Sequence, residues 1–336
     1  VYITGEVNNG INLFKFDTDG TELWNKFYSA GLEWIGEAFI EELNSSSIVL
    51  VGNTEAIGGG TSSAIVFKIN AATGAILTQK TITNAGQNAY VSGIDCVDNG
   101  QTVFVTGRYY DLADSKNNMF IDKLDSDLNR VWSKSLESTS NYDMAGGDCA
   151  SDAFGNVYAV GSYNVAIQPN SDSDSPTGTA VILTKLNSSG VVQWTRRIGP
   201  GPRGSAAVGV NVSSDNHLYL TSMTTVRKTD DGTINDYEMM AEGQNKRLLA
   251  KYDLNGTVVW QRYVDARNVD EYNNEWPGLC VATFNDKVAV QFYGNTWDTT
   301  VFNFSGTADY EEDFFVAQLP ADGTELTIGK LDFTAS

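Results

Sequence analysis

Short apolar, β-branched runs alternate with polar turns along this chain, and they do so on a fixed cycle. Runs ending at or near glycine recur as VYITG (1–5), IVLVG (48–52), VFVTG (103–107) and VYAVG (157–161). LYLTS (218–222) and VAVQF (288–292) fit with the glycine replaced. After each comes a hairpin text, K-x-[D/N]-x-x-G-x-x-x-W, complete in residues 15–24 (KFDTDGTELW), 185–194 (KLNSSGVVQW) and 251–260 (KYDLNGTVVW). In residues 123–132 (KLDSDLNRVW) Leu128 sits in the glycine slot; residues 68–78 (KINAATGAILT) are one longer, and 318–327 (QLPADGTELT) end in threonine. Apolar runs of this length, bounded by Asn, Asp, Ser and Gly, predict strands joined by tight turns. No run shows helical spacing or the ~18 apolar residues of a membrane-crossing helix.

Each cycle holds four strand signals, a to d, with c and d the arms of the hairpin. Strand a precedes b by a polar turn, seen at 98–100, 153–156, 214–216 and 285–286. The matching Lys or Gln positions are 15, 68, 123, 185, 251 and 318. A four-stranded unit repeated at this period predicts an all-β chain folded as a β-propeller of six blades, since radial stacking buries both apolar faces of a blade. The blades are expected near residues 1–28, 34–83, 88–138, 144–199, 206–265 and 276–333, together forming one domain. The first shows only b, c and d, so it is incomplete. Two outcomes are expected for it: blade one keeps three strands and meets blade six by side-chain packing alone or, the favoured expectation, a segment outside 1–336 completes it and Val1 is an internal residue of a longer protein. Gly190 and Gly256 are expected at positive φ. Trp24, Trp132, Trp194 and Trp260 share one slot, and are expected to pack between neighbouring blades.

The a–b and c–d turns stay short, whereas the b–c connections lengthen along the chain: 53–63, 109–117, 164–178, 223–245 and 295–312. One end of each blade is therefore uniform and the other elaborated, and recognition is expected on the elaborated end. The partner- or ligand-binding candidates there are Glu33, Trp34, Tyr90, Asp143, Glu275, Trp276 and Trp297. Aromatic rings beside carboxylates suit a sugar, a peptide or a cation; the same side chains equally suit a plug.

The balance of 22 basic against 42 acidic residues, net −20, argues against nucleic-acid partners, which need a basic stripe, and against insertion into or adhesion to anionic membranes. Cys96, Cys149 and Cys280 have neither metal-site nor disulfide-framework spacing and are expected as small core residues. Asn170, Asp172 and Asp174 alternate like the start of a calcium loop but lack its glycine and closing glutamate, so Ca²⁺ is the one candidate ion and no other cofactor is expected. His217 is the single histidine, which excludes a histidine-rich metal centre, and its sequence context does not supply the partners of a Ser-His-Asp site.

NVYAVG (156–161) followed by TKLNSSGVVQW (184–194) resembles the bacterial β-propeller repeat family called SBBP, whose pattern is GNVYVTG … AKLNxxGxxxW. The resemblance covers nearly the whole chain. It implies a propeller fold, frequent secretion and usually no catalysis; similar repeats occur in structural proteins of tailed phages. The hairpin is also similar to the quinoprotein repeat, best matched by NAATG (70–74), but no two cysteines are adjacent as a quinone site would require. The sialidase-type S-x-D-x-G-x-x-W box is absent, because Gly and Trp here are one residue further apart. The expected role is a non-catalytic scaffold in an extracellular or virion assembly, of tail or baseplate type, whose partners are other protein subunits or a surface glycan. A secreted glycan- or protein-binding propeller is one alternative, and a carboxylate-dependent glycosidase or lyase is another.

Overall fold

The computed structural model describes residues 1–7, 10–29, 33–55, 62–83, 88–97, 100–111, 115–137, 144–166, 177–201, 206–224, 246–265, 281–284, 287–294, 313–320 and 327–331. The described elements are strands, paired antiparallel in one three-stranded and five four-stranded sheets. Sheet one is β1 (Tyr2–Val7), β2 (Gly10–Phe16) and β3 (Glu22–Tyr28). Sheet two is β4 (Glu33–Asn44), β5 (Ser47–Glu55), β6 (Ser63–Asn70) and β7 (Ile76–Ile82). Sheet three is β8 (Asn88–Val97), β9 (Thr102–Asp111), β10 (Lys116–Asp125) and β11 (Arg130–Leu136). Sheet four is β12 (Met144–Ser151), β13 (Val157–Ala166), β14 (Thr177–Leu186) and β15 (Val192–Gly201). Sheet five is β16 (Ala206–Val212), β17 (His217–Thr224), β18 (Lys246–Asp253) and β19 (Val258–Asp265). Sheet six is β20 (Val281–Phe284), β21 (Lys287–Gly294), β22 (Asp313–Pro320) and β23 (Thr327–Leu331).

Within every sheet the strands are neighbours in chain order, so the repeat written in the sequence is the sheet itself. The chain divides into two compact units, residues 1–159 with 186–191, and residues 160–185 with 192–336. In the first, Ile11, Leu13 and Tyr28 pack with Ile48, Leu50, Phe67 and Ile69 of sheet two. A further cluster joins Val49, Val51, Val66 and Ile82 of sheet two to Val103, Val105, Phe120 and Leu128 of sheet three. In the second, Leu183, Leu218, Tyr219, Leu220, Leu249 and Tyr252 are buried.

The hairpin motif does two jobs. Its Asx side chain folds its own turn: Asp17 Oδ1 accepts the amides of Asp19 and Thr21, and Asn187 Oδ1 those of Ser189 and Val191. Asn70, Asp125 and Asp253 act likewise. This local competition for backbone donors is what makes Asx a turn residue. The carbonyl of the next residue then becomes an acceptor for the preceding repeat. Lys15 Nζ and Trp24 Nε1 both donate to Ala71 O, at 2.7 and 3.2 Å. Lys68 Nζ donates to Ser126 O, Lys123 and Trp132 to Ser188 O, and Lys185 and Trp194 to Leu254 O. The tryptophans therefore pack between successive repeats in the three cases where both partners are described, and the lysine belongs to the same clamp.

The motif glycine answers to that clamp. Gly190 and Gly256 both have φ +79°, as the turn requires. A Cβ on Gly74, Gly190 or Gly256 would meet the indole of Trp24, Trp132 or Trp194 at 3.0–3.3 Å. Gly190→Val should therefore cost about 1–2 kcal/mol from the backbone alone, with crowding of Trp132 added. A urea midpoint equal to the parent's would contradict the placement of this turn. Leu128, which takes the glycine slot, has φ +62° and is 2% exposed.

Trp34 lies within β4, opposite Thr54. The register shift between Trp34 and Ala38 lets the strand run on past the irregularity.

Candidate functional site

The a–b and c–d connections of each sheet are short, such as 45–46 and 71–75 in sheet two or 213–216 and 254–257 in sheet five. The b–c connections run from 56–62 and 112–115 to 167–176, 225–245 and 295–312. In an antiparallel sheet taken in chain order, b–c and d–a connections leave from the same end; the b–c connection is the long one in sheets two, four, five and six, whereas in sheets one (8–9) and three (112–115) it is no longer than the c–d turn.

Of the residues singled out in the sequence, Tyr90 is described in full. It stands on β8 opposite Arg108, whose guanidinium lies over its ring at 5.1 Å. Its hydroxyl meets Ser62 Oγ at 2.9 Å, and Ser62 N donates to Asn88 Oδ1 at 2.8 Å. Deeper in the same seam, Asn53 reads the backbone of Val91: Nδ2 donates to its carbonyl at 2.9 Å and Oδ1 accepts its amide at 2.7 Å. At the elaborated end of unit one, the start of β8 is thus locked to sheet two by side chain–backbone bonds, and the Tyr90 ring and hydroxyl both have partners. Glu33 and Trp34 open β4, opposite Glu55 and Thr54. Asp143, Glu275, Trp276, Trp297 and the candidate calcium ligands Asn170, Asp172 and Asp174 lie outside the described residues.

Three clusters were not foreseen in the sequence. Ser213, Asp215 and His217 come together in the β16–β17 turn: Ser213 Oγ donates to Asp215, and His217 Nδ1 lies 2.9 Å from Asp215 O and 3.2 Å from its carboxylate. The partners that the sequence did not supply are therefore beside His217, but in the wrong order for nucleophilic catalysis. The serine is bonded to the aspartate instead of the imidazole, and Ser213 Oγ also accepts the His217 amide. Lys251 Nζ completes the group 2.9 Å from Asp215, over the Tyr219 ring. Hydrogen bonds from Ser213 and Lys251, with the lysine and histidine charges, outweigh burial and hold the Asp215 carboxyl below its usual range.

The second cluster lies in the seam between sheets two and three. Asp122 is buried in a recess lined by Thr83, Tyr109, Phe120 and Ser133, with Arg130 Nη2 at 2.7 Å. Burial pushes the Asp122 carboxyl up, against Ser133 and Arg130. Arg130 also donates to Thr83 O at 3.2 Å, joining the two sheets. The slot of Asp122 holds Phe14, Phe67, Thr184 or Ala250 in other repeats, and that of Arg130 holds Glu22, Ile76, Val192 or Val258. The pair is thus specific to repeat three, a signal that aligning the repeats against each other would have shown.

The third cluster is Glu41 on β4, Asp95 and Cys96 on β8, and Cys149 and Ser151 on β12. Burial first, then the neighbouring Asp95 charge, pushes Glu41 up to about 7. Burial pushes Asp95 up to about 6 although Ser151 Oγ donates to it. Cys96, partly buried against the core, and Cys149, buried in it, are free, and burial raises both thiols well above their usual range, which makes them poor nucleophiles. Cys280 lies outside the described residues. Among the described residues no group of three or more His, Cys, Asp or Glu is arranged to hold a metal ion, and no helix is long and apolar enough to cross a membrane.

No protein-family model matches the chain, and no curated protein matches its sequence. Solved structures do match its fold. The α-L-arabinofuranosidase of Fusarium graminearum in complex with arabinobiose superposes with a TM-score of 0.50 at 11% identity, over 85% of this chain and 80% of that one. The fold is a β-propeller. The Dos1 propeller (TM-score 0.43, 13% identity, 84% and 70% covered) and the Pseudomonas brassicacearum lignostilbene dioxygenase (TM-score 0.48, 10% identity, 99% and 72% covered) are further matches. At these identities the likeness is one of fold alone.

Proposed function

We propose that this protein is a non-catalytic β-propeller scaffold presenting loops for protein–protein contact in an extracellular or viral assembly, in the first instance a phage tail or baseplate. The observation that carries this reading is the asymmetry of the sheets. The plain ends are built from one Asx-capped turn and serve to clamp repeat to repeat, while connection length varies at the elaborated ends. The resemblance to SBBP-type repeats and to structural proteins of tailed phages points the same way. The polar clusters are occupied with structure: Asp215 holds its turn and Lys251, Asp122 holds Arg130, and Tyr90 holds Ser62.

The Glu41–Asp95 pair favours a second reading, a carboxylate-dependent glycosidase or lyase, because a carboxyl raised to about 7 suits a general acid. Against it, the pair packs beside the buried Cys149 thiol near the plain-end turn at 45–46. A glycan-binding propeller keeps the scaffold's rim and changes only its partner. Fractionation of the native source separates the readings. The scaffold reading expects the protein to co-sediment with particles and to leave polysaccharides intact. Turnover of a polysaccharide that Glu41→Gln abolishes would overturn it.

A further inference from the structure

Phe67 and Asp122 hold one slot, immediately before the motif lysine on the third strand of sheets two and three, and each is 1% exposed. Tyr28 and Ile82 hold another, on the last strand of sheets one and two, opposite Ile11 and Ala64. In the seam between sheets one and two the two slots meet as rings, Tyr28 against Phe67 with centroids 5.9 Å apart. In the seam between sheets two and three they hold Ile82 and Asp122 instead. Both are smaller than the rings they replace, and the recess around Asp122 is the space left over, a cavity of about 10 Å³. Ile82, Ala89 and Phe120 give it apolar walls, and Ser133 and Arg130 join Asp122 as polar ones.

The protein alone does not satisfy the carboxylate in that cavity. Neither Asp122 oxygen has a hydrogen-bond partner of ordinary geometry among the described residues. Arg130 Nη2 lies 2.7 Å from Oδ2 as an ion pair, and the same nitrogen donates to Thr83 O at 3.2 Å. Buried carboxylate oxygens left this way are costly, and native interiors satisfy them with water or an ion. Volume and charge decide between the two. A single water needs a cavity of at least about 10–15 Å³ and roughly two to four polar partners. Asp122 and Arg130 cancel in charge, so the recess has no net attraction for a cation.

We propose that the recess is a hydration site, in which one water molecule sits between the Asp122 carboxylate and the Arg130 guanidinium. The water donates to Asp122 and accepts from Arg130, and the hydroxyl of Ser133, opposite Asp122 in the register, is its third partner. Its effect is to hold Arg130 against Asp122, and Arg130 in turn crosses the seam to Thr83 O, next to β7 of sheet two. The neighbouring seam closes with a pair of rings; this one closes through a bound water. Nothing in the site depends on which partner the scaffold takes.

A crystal structure of the full chain, soaked in rubidium chloride and recorded at the rubidium edge, is the test. The expected result is a density peak about 2.7–3.2 Å from both Asp122 and Arg130, with no rubidium signal. A rubidium peak would make the occupant a monovalent cation. A side chain of this chain in the recess, or an Arg130 that donates in line to Asp122 with no peak between them, would leave no place for the water. Each of these three results overturns the proposal. In solution, relaxation dispersion of labelled water oxygen counts the long-lived internal waters. Asp122→Phe, which puts back the ring of the Phe67 slot, should lose one relative to the parent, whereas Asp122→Asn, with the same size and an acceptor oxygen, should keep it. Arg130→Met, a change at a partly exposed position, covers the case in which Asp122→Phe does not fold. It removes one charged partner and should shorten the residence time of the water by about tenfold or more. An unchanged count in Asp122→Phe or an unchanged residence time in Arg130→Met overturns the site.

Discussion

Leu128→Gly should destabilise unit one by about 2–3 kcal/mol, and Thr78→Trp added to it should recover much of the loss. Three repeats pair a tryptophan with a glycine in the following turn: Trp24 with Gly74, Trp132 with Gly190, and Trp194 with Gly256. The seam between sheets two and three breaks the pairing on both sides. Thr78 stands opposite Lys68, where Trp24 stands opposite Lys15 and Trp132 opposite Lys123, and Leu128 stands in the glycine slot. Val49 also replaces the ring that Tyr2, Phe104 and Tyr219 place beside their tryptophans, at 5.9–6.0 Å. Leu128 projects from the point where a Cβ on the other turns would meet an indole, and it is buried with Val49, Val66 and Val103. The leucine therefore fills the space the missing indole would take, and this offsets a left-handed backbone that costs about 1–2 kcal/mol. Thr78→Trp alone should be destabilising, through overpacking. In a double-mutant cycle read by urea denaturation, the two changes should couple favourably by more than about 1 kcal/mol. Additive effects would break the link between the two slots.

The second large effect is on pH. Glu41 and Asp95 are raised to about 7 and about 6, by burial first. The groups facing them are Glu42, Cys96, Asp148, Cys149 and Ser151, none of them a cation. A carboxyl whose folded-state pKa is raised holds its proton more tightly when folded. Its contribution is complete below the unfolded value near 4 and is lost as pH rises through 6 and 7. Unit one should therefore lose about 2–4 kcal/mol between pH 5 and pH 8, as each raised unit is worth about 1.4 kcal/mol and the two sites share part of the effect. Glu41→Gln and Asp95→Asn should each raise the urea midpoint at pH 8, flatten the slope, and change little at pH 5. An unchanged slope in the double variant would show that both carboxylates are solvated.

The fold was legible because one hairpin is written six times, and alternation, Asx and glycine carry local instructions that need no tertiary context. The tryptophan slot was legible as packing, but not the lysine, since a lysine on a strand reads as a solvated charge until its acceptor in the next turn is known. Leu128 looked like a lapse in the motif. Its reason lies fifty residues upstream at Thr78, and only the stacking of sheets joins the two. Glu41 and Asp95 were passed over for a similar cause: each sits in a different strand a, and what perturbs them is burial between sheets. Ser213 and Asp215 were within four residues of His217, yet their bonding order, which decides against catalysis, is a matter of turn geometry. Tyr90 lies inside β8, and the engagement of its hydroxyl by Ser62 needed the b–c connection to return beside it.

Cross-linking of the protein in its native source, with carboxylate–amine chemistry read by mass spectrometry, tests the proposed scaffold role most directly. Links to a partner are expected from Asp111 and Lys116, which flank the b–c connection of sheet three, with the carboxylates in the turns at 17–21 and 126–129 left unmodified. Links confined to those turns would contradict that role, because they would put the partner on the ends that clamp repeat to repeat.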